Sequence, residues 1–508
     1  MRIVSIASEC EPWAKTGGLG DVVDALARSI GALGGSDRSI DVFLPRYASV
    51  PLPAGVRASH RFLVPDPRSR RGASLVRVVD VDGGGYRLRL VDHPAAFDRV
   101  DLYGYPDDAW RFGLLCRAAL HTMATEGDPI DVVHLHDWHA GMAAILRETT
   151  LARDPIVSQA TIVLTLHNLA YQGWVPRDGL GQLGLTPGDG FLAPDAAGVG
   201  LLRSAIDLAE RVNTVSPRFA RESLTPAFGF GLEGVLAARG ARYSGILNGL
   251  DTALWDPATD PVLAAPYDAT SMAGKAACRV DLLERLGMDA ADEGPVAGAI
   301  GRLDPQKGFD LIAGAAPALL ARGVRLIVEG SGAVEVAAPL RELAARTPGR
   351  VVLVERFDRE MARRIYAGAD LFLMPSRFEP CGQGQMIAMR YGTPPIVHRT
   401  GGLADTVVDE TDNPAAGTGF AFDHPTVEGL VLAVGKAVAL RRRGTSSRWR
   451  SLVARGMAVD HDWAAGPAPA YLELFERAIA DRRGAIRSGR RGSRQPRARS
   501  TAARKASG

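Results

Sequence analysis

One pattern recurs along this chain and narrows what it can fold into: a short apolar strand, a loop of glycine and charge, then an amphipathic helix. Residues 2–8 read as such a strand, 17–20 as a turn, and 21–33 as a helix with Val22, Ala25, Leu26 and Ile30 on one face. Further strands read at 40–44, 131–135, 160–166 and 211–215. A helix reads at 110–124, and a hairpin over 74–91 turns at Asp82-Gly83-Gly84-Gly85. A second series begins near Ile246, with strands at 296–300, 325–328, 351–354, 371–374 and 395–397 and helices at 309–321, 334–345 and 360–367. Strands that alternate with helices make parallel sheets, because a parallel pair needs a long crossover and the helix supplies it. The 508 residues are too many for one ordinary core. Two series predict an α/β chain of two doubly wound, Rossmann-like domains, 1–245 and 246–455.

Composition removes several classes. Apolar residues make up 46% and charged residues 23%, the balance of a soluble globular protein. There is no run of ~18 apolar residues to span a membrane. The start, MRIVSIASEC, passes from one Arg through a strand-like stretch to Glu9, Glu11 and Trp13, which does not read as a secretory signal. Cys10, Cys116, Cys278 and Cys381 lie far apart with no CxxC, against both a disulfide framework and a structural zinc site. A reducing, cytoplasmic setting is the expectation. The net charge of +3 misleads, because residues 482–508 hold nine Arg and one Lys with no acid, and the body without them carries −7. The stretch 481–508 is expected to be a disordered basic tail. No membrane or nucleic-acid partner is expected, although the tail is the one feature able to touch an anionic surface.

Only five of the 60 basic residues are Lys, so a Lys inside a motif stands out. Lys15 opens Lys15-Thr16-Gly17-Gly18-Leu19-Gly20-Asp21, between a strand and a helix. Glycines there let backbone N–H groups approach an anion, and the helix start adds partial positive charge. The alternative is a tight turn capped by Asp21. Lys307 stands in Gly301-Arg302-Leu303-Asp304-Pro305-Gln306-Lys307-Gly308, again strand to helix. Arg302 and Lys307 on one loop make a cradle for a diphosphate leaving group. In Arg377-Phe378-Glu379-Pro380-Cys381-Gly382-Gln383-Gly384-Gln385, Glu379 can accept from sugar hydroxyls and the glycine turn can meet phosphate. Cys381 reads as a small buried side chain rather than a nucleophile.

Two loops carry histidine. His134-Leu135-His136-Asp137-Trp138-His139 follows a strand and has a metal-hydrolase look, since imidazole and carboxylate at this spacing can hold zinc. It equally suits a sugar, with Asp137 and His139 on hydroxyls and Trp138 on a ring face. His167-Asn168-Leu169-Ala170-Tyr171-Gln172-Gly173 follows another buried strand and aims a polar loop at the same region. Asp80-Val81-Asp82 could mimic a metal-binding DxD, but it runs into three glycines and reads as a hairpin turn.

Taken together, KTGGLGDV, HLHDWHAGMA, LTLHNLAYQG, GILNGLDTALWDP, GRLDPQKGFDLI, PSRFEPCG and RTGGLADTV resemble the bacterial and plastid starch/glycogen synthases, in family order from Met1 to about Ala480. The resemblance implies a GT-B fold, two facing Rossmann-like domains, with a helix over 456–480 crossing back to the first. It implies glucose transfer from ADP-glucose to the non-reducing 4-hydroxyl of glycogen or another α-1,4-glucan, with retention and without metal or cofactor. Carried onto this chain, it assigns Arg302, Lys307, Glu379 and His167 to catalysis. It assigns Lys15, Gly18, Asp21, Asp137, His139, Asn248, Cys381, Gly382, Gly384 and Gln385 to substrate binding. Many relatives have Leu where this chain has Gln383, which touches donor preference. The open alternatives are a sibling using UDP-glucose or a glucose-1-phosphate acceptor, a metal-dependent hydrolase on His134, His136 and His139, and a non-catalytic glucan binder.

Overall fold

A computed structural model describes residues 1–52, 55–66, 68–186, 198–442 and 447–487. The first sheet is built from β1 (Arg2–Ile6), β2 (Ser39–Pro45), β3 (His60–Pro65), β4 (Ala73–Asp82), β5 (Arg87–Asp92), β6 (Val132–His136) and β7 (Thr161–Leu166). After a small antiparallel ribbon of β8 (Trp174–Pro176) and β9 (Gly198–Gly200), it is completed by β10 (Arg211–Thr214) and β11 (Tyr243–Gly245). The order is β11-β10-β7-β6-β1-β2-β5-β4-β3, parallel except where β4 pairs with β3 and β5. β1, β6 and β7 are buried along nearly their whole length on both faces, as a parallel sheet requires, with Ser5, His134, His136 and Thr165 as polar insertions. The expected hairpin is β4–β5, and Gly84 N donates to Asp82 Oδ1 at its turn.

The second sheet holds β12 (Val296–Ile300), β13 (Arg325–Glu329), β14 (Val351–Val354), β15 (Leu371–Met374), β16 (Pro395–His398) and β17 (Phe420–Phe422). All are parallel, in the order β14-β13-β12-β15-β16-β17, which is the 3-2-1-4-5-6 arrangement of the Rossmann fold. Strand β3 is an edge strand with half its side chains in solvent, and β17 has three residues. Neither carries enough periodic signal to be read from sequence.

Two local expectations are corrected. The glycines at 17–20 do not form a free turn, because the helix begins at Gly18 and runs to Gly34. It tolerates Gly20 because a Cβ there would lie 3.3 Å from Ala14 O and from the Lys15 stem, so close approach of loop and helix outweighs poor helix propensity. The last helix is Pro467–Arg487 and does not stop at 480. Asp481 pairs with Arg211 at 2.9 Å and Arg482 with Glu210 at 3.0 Å, which ties its final turns to the first domain. The rest of the expected tail, 488–508, lies outside the described residues.

The chain passes between the sheets twice, at 245–250 and 460–463. The strands of that crossing touch, with Leu250 N donating to His461 O at 2.7 Å. Trp463 is buried there, and a Cβ on Gly249 would lie 2.7 Å from its ring. The final helix packs Tyr471 and Phe475 on His134 of β6. Elsewhere the two halves meet through the edge-to-face pair of Phe230 and Phe378 and through polar contacts. Glu222 accepts from Thr400 Oγ1 and Gly401 N, while Asp405 accepts from Ser216 Oγ and Arg218 N, so each half caps a helix of the other. Arg28 reaches Asp251, and Arg359 reaches Glu11.

Candidate active site between the two sheets

In doubly wound sheets a ligand sits at the carboxyl ends of the strands where the winding reverses. Here those points are the ends of β1 and β6 in one sheet and of β12 and β15 in the other. The segments that carry Lys15, Asp137, His167, Arg302, Lys307 and Glu379 each leave one of these strands or a neighbour.

After β1, Glu9 is buried and organises the loop. It accepts from Thr16 N at 2.8 Å, Gly17 N at 3.0 Å, Thr16 Oγ1 at 2.9 Å and Tyr103 OH at 2.8 Å. Two amides expected to face an anion are therefore already engaged. What remains for a ligand is the helix start and Lys15, whose Nζ donates to Asp21 at 2.5 Å. Burial pushes the Asp21 carboxyl above its ordinary range, with Lys15 opposing.

After β6, Asp137 takes a left-handed backbone, φ 55°, uncommon outside glycine and often found at functional sites. Its carboxylate accepts from His167 N at 2.7 Å and Asn168 N at 3.3 Å, so it shapes the second histidine loop. Burial pushes this carboxyl up to about 7. His139 lies under Tyr103, Phe112 and Trp138, with Nδ1 buried and unpaired among the described residues. Burial holds His134, His139 and His167 down to about 3, so these imidazoles are neutral. His134 is bonded to Thr165, and His136 to Ser5 and His167. Among the described residues no three His, Cys, Asp or Glu side chains are grouped to hold a metal.

Across the gap, Asp304 accepts from Lys307 N and pairs with Arg302 at 3.2 Å. Burial works against the Arg302 charge, but Asp304 and a hydrogen bond to Tyr171 of the first domain hold its pKa above the usual value. Lys307 Nζ meets Glu379 Oε2 at 2.6 Å, and Ser376 Oγ donates to the same oxygen at 3.0 Å. Gly382 has φ 76°, which lets the turn after Glu379 double back. A Cβ on Gly401 would lie 2.0 Å from Glu379 O, which explains why glycines follow Thr400. Gly384 starts the next helix in a tight place, where a Cβ would lie 3.1 Å from the Phe372 ring and 3.2 Å from Tyr366 OH. The halves meet at Gly18, where a Cβ would lie 3.6 Å from Gln383 Oε1.

Two assigned residues face inward. Gln385 is fully buried and donates to Cys381 O, Gly382 O and Thr406 Oγ1, so its side chain braces the turn rather than lining the gap. Cys381 is buried, and burial pushes its thiol up to about 12. Asn248, on the crossing segment, has a buried side-chain oxygen with no partner among the described residues.

Comparison with known proteins gives this geometry its family. A family model described as starch synthase catalytic domain matches residues 2–238, and one for glycosyl transferases group 1 matches 294–439. A glycogen synthase of Anaeromyxobacter dehalogenans is 42% identical over 473 residues, covering 91% of this chain and 97% of the relative. The chain belongs to the glycogen synthase family.

Another member, from Geotalea uraniireducens, is 38% identical, with 94% of this chain and 99% of that one aligned. Among solved structures, the catalytic domain of starch synthase IV from Arabidopsis thaliana, bound to ADP and acarbose, superposes with a TM-score of 0.87 at 33% identity. It covers 94% of this chain and 99% of that one. Sucrose-phosphate synthase from Thermosynechococcus elongatus shares the fold alone, with a TM-score of 0.59 at 18% identity. The architecture is GT-B. No helix among the described residues is long and apolar enough to cross a membrane.

For this glycogen synthase family member, reading by motif missed Glu9, Ser376, Tyr171 and the Glu222–Asp405 capping pair. Glu9 had a signal, an acid placed just after an apolar strand. Ser376 stands three residues before Glu379 in the same PSRFEPCG stretch, whereas Tyr171, Glu222 and Asp405 contact residues far away in sequence and left none.

Proposed function

We propose that this chain is a retaining glucosyltransferase that moves glucose from ADP-glucose to the non-reducing 4-hydroxyl of an α-1,4-glucan such as glycogen, without a metal ion. The observation that carries the reading is the set of cations at the opposed strand ends: Lys15 from one sheet, Arg302 and Lys307 from the other. As the bond from the anomeric carbon to the diphosphate breaks, negative charge grows on the departing oxygen. Fixed cations stabilise that charge more in the transition state than in the ground state. The acceptor oxygen forms the new bond on the same face, and its proton passes to the leaving phosphate. Glu379, anchored by Lys307 and Ser376 through one oxygen, is suited to hold glucose hydroxyls with the other. His167, Asp137, His139 and Asn248 line the sugar side, and Gly18, Asp21, Gly382 and Gly384 shape the nucleotide side. Gln385 and Cys381 act through the turn they brace.

The likeness to a starch synthase whose structure holds ADP supports an adenine nucleotide as donor. The test is an assay on glycogen with ADP-glucose or UDP-glucose, EDTA present. Turnover with ADP-glucose in EDTA is expected. A requirement for magnesium or manganese, or turnover with UDP-glucose alone, would overturn the reading.

A further inference from the structure

Behind His167 lies a buried chain that the scheme above does not use. Ser5, in β1, places its Oγ 3.1 Å from His136 Nε2. His136 Nδ1 lies 3.0 Å from His167 Nε2, with the two rings stacked at 5.2 Å. Burial drives both imidazoles far below their ordinary pKa, so each ring is neutral and carries one N–H and one lone pair. A neutral chain of this kind can run in either direction, and the direction decides what His167 offers on its other nitrogen.

The hydroxyl of Ser5 sets that direction. Ser5 and His136 are both buried, at 5% and 1% exposure, and the Ser5 hydroxyl has no second partner among the described residues. If it accepted a hydrogen bond from His136, its own O–H would be left buried without an acceptor, at a cost of about 1–3 kcal/mol. As a donor it leaves only lone pairs unused. His136 then accepts at Nε2, carries its proton on Nδ1 and donates to His167 Nε2. The proton of His167 must therefore sit on Nδ1, which has no protein partner among the described residues and is not buried.

We infer that Ser5 and His136 are positioning residues that lock His167 as its Nδ1–H tautomer, so that the ring offers the gap a hydrogen-bond donor and not an acceptor. That the oxygen receiving this bond belongs to a sugar rests on the glucosyl-transfer reading; the tautomer itself does not. Nearby, His134 is engaged with Thr165, in line with Asn213 and Tyr471, and does not join this chain.

The test is nitrogen-15 NMR of ring-labelled histidine in the full chain without substrate, with His167 assigned by its loss in His167→Gln. The native protein is expected to show an Nδ1–H pattern at His167. Ser5→Thr keeps that pattern and Ser5→Ala gives mixed tautomers. In glucosyl transfer, Ser5→Ala is expected to lose about tenfold in kcat, the worth of one misdirected hydrogen bond, with the donor KM within twofold and with recovery in Ser5→Thr. An Nε2–H pattern in the native protein, or an unchanged pattern in Ser5→Ala, would overturn the inference. Absence of any glucosyl transfer would instead strike the proposed reaction, leaving the ring spectra to decide the tautomer.

Discussion

Replacing Lys307 separates what this side chain does for stability from what it does for the reaction. Its ammonium sits 2.6 Å from a Glu379 carboxylate whose side chain is 7% exposed, while Lys307 itself is 23% exposed. Removing one partner of a fully buried pair costs about 3–5 kcal/mol, because a charge is left desolvated and unpaired. The remaining Ser376 bond and the partial exposure of Lys307 lower this to about 2–3 kcal/mol for Lys307→Met. For a unit of this size that is a fall in Tm of roughly 5–10 °C. The double variant Lys307→Met with Glu379→Gln removes the stranded charge and should recover melting to within about 3 °C of native. Activity should not follow. Loss of one charge-stabilising donor lowers kcat on the order of 10²-fold, and the double variant stays at least that low. Thermal melts and initial rates with saturating donor and glycogen measure both. Lys307→Met with near-native kcat would refute the charge-neutralising role. A double variant that regained activity along with stability would show that Lys307 acts only by holding Glu379.

Glu329 and the helix-capping pair give two further tests. Glu329 is fully buried at the end of β13, with one oxygen accepting from Asp358 N and the other unpartnered among the described residues; burial pushes its carboxyl up to about 7. A folded pKa above the unfolded one gives stability that is full below about 4.5 and is lost as pH rises through about 7. Glu329→Gln, which never ionises, should therefore exceed the native chain by about 3 kcal/mol at pH 8 and by less than about 1 kcal/mol at pH 5 in urea titrations, and a pH-independent difference would contradict this. Asp405→Ala removes the acceptor for Ser216 Oγ and Arg218 N across the two halves. Amide exchange at Arg218 should rise roughly tenfold while β1 and β12 amides hold, and unchanged exchange would mean that the capping does not tie the halves together.

Much of this protein is legible from local pattern. Alternation of apolar strands with amphipathic helices determined two wound sheets, because each element must bury one face and the crossover geometry leaves few arrangements. That same logic puts loop residues such as Lys15, Arg302, Lys307 and Glu379 at strand ends, where a ligand belongs. Partners are another matter. Lys307 meets Glu379 across 72 residues, His136 meets His167 across 31, and Asp405 caps Arg218 across 187. Periodicity reports which side of an element is buried but says nothing about which distant group will lie against it. Glu222 and Asp405 capping helices of the opposite half, and the last helix continuing to Arg487 along Glu210 and Arg211, all depend on such encounters. They arise only when two sheets and a returning helix are brought together, because hydrogen bonds and ion pairs reach about 3 Å and are therefore decided by tertiary packing.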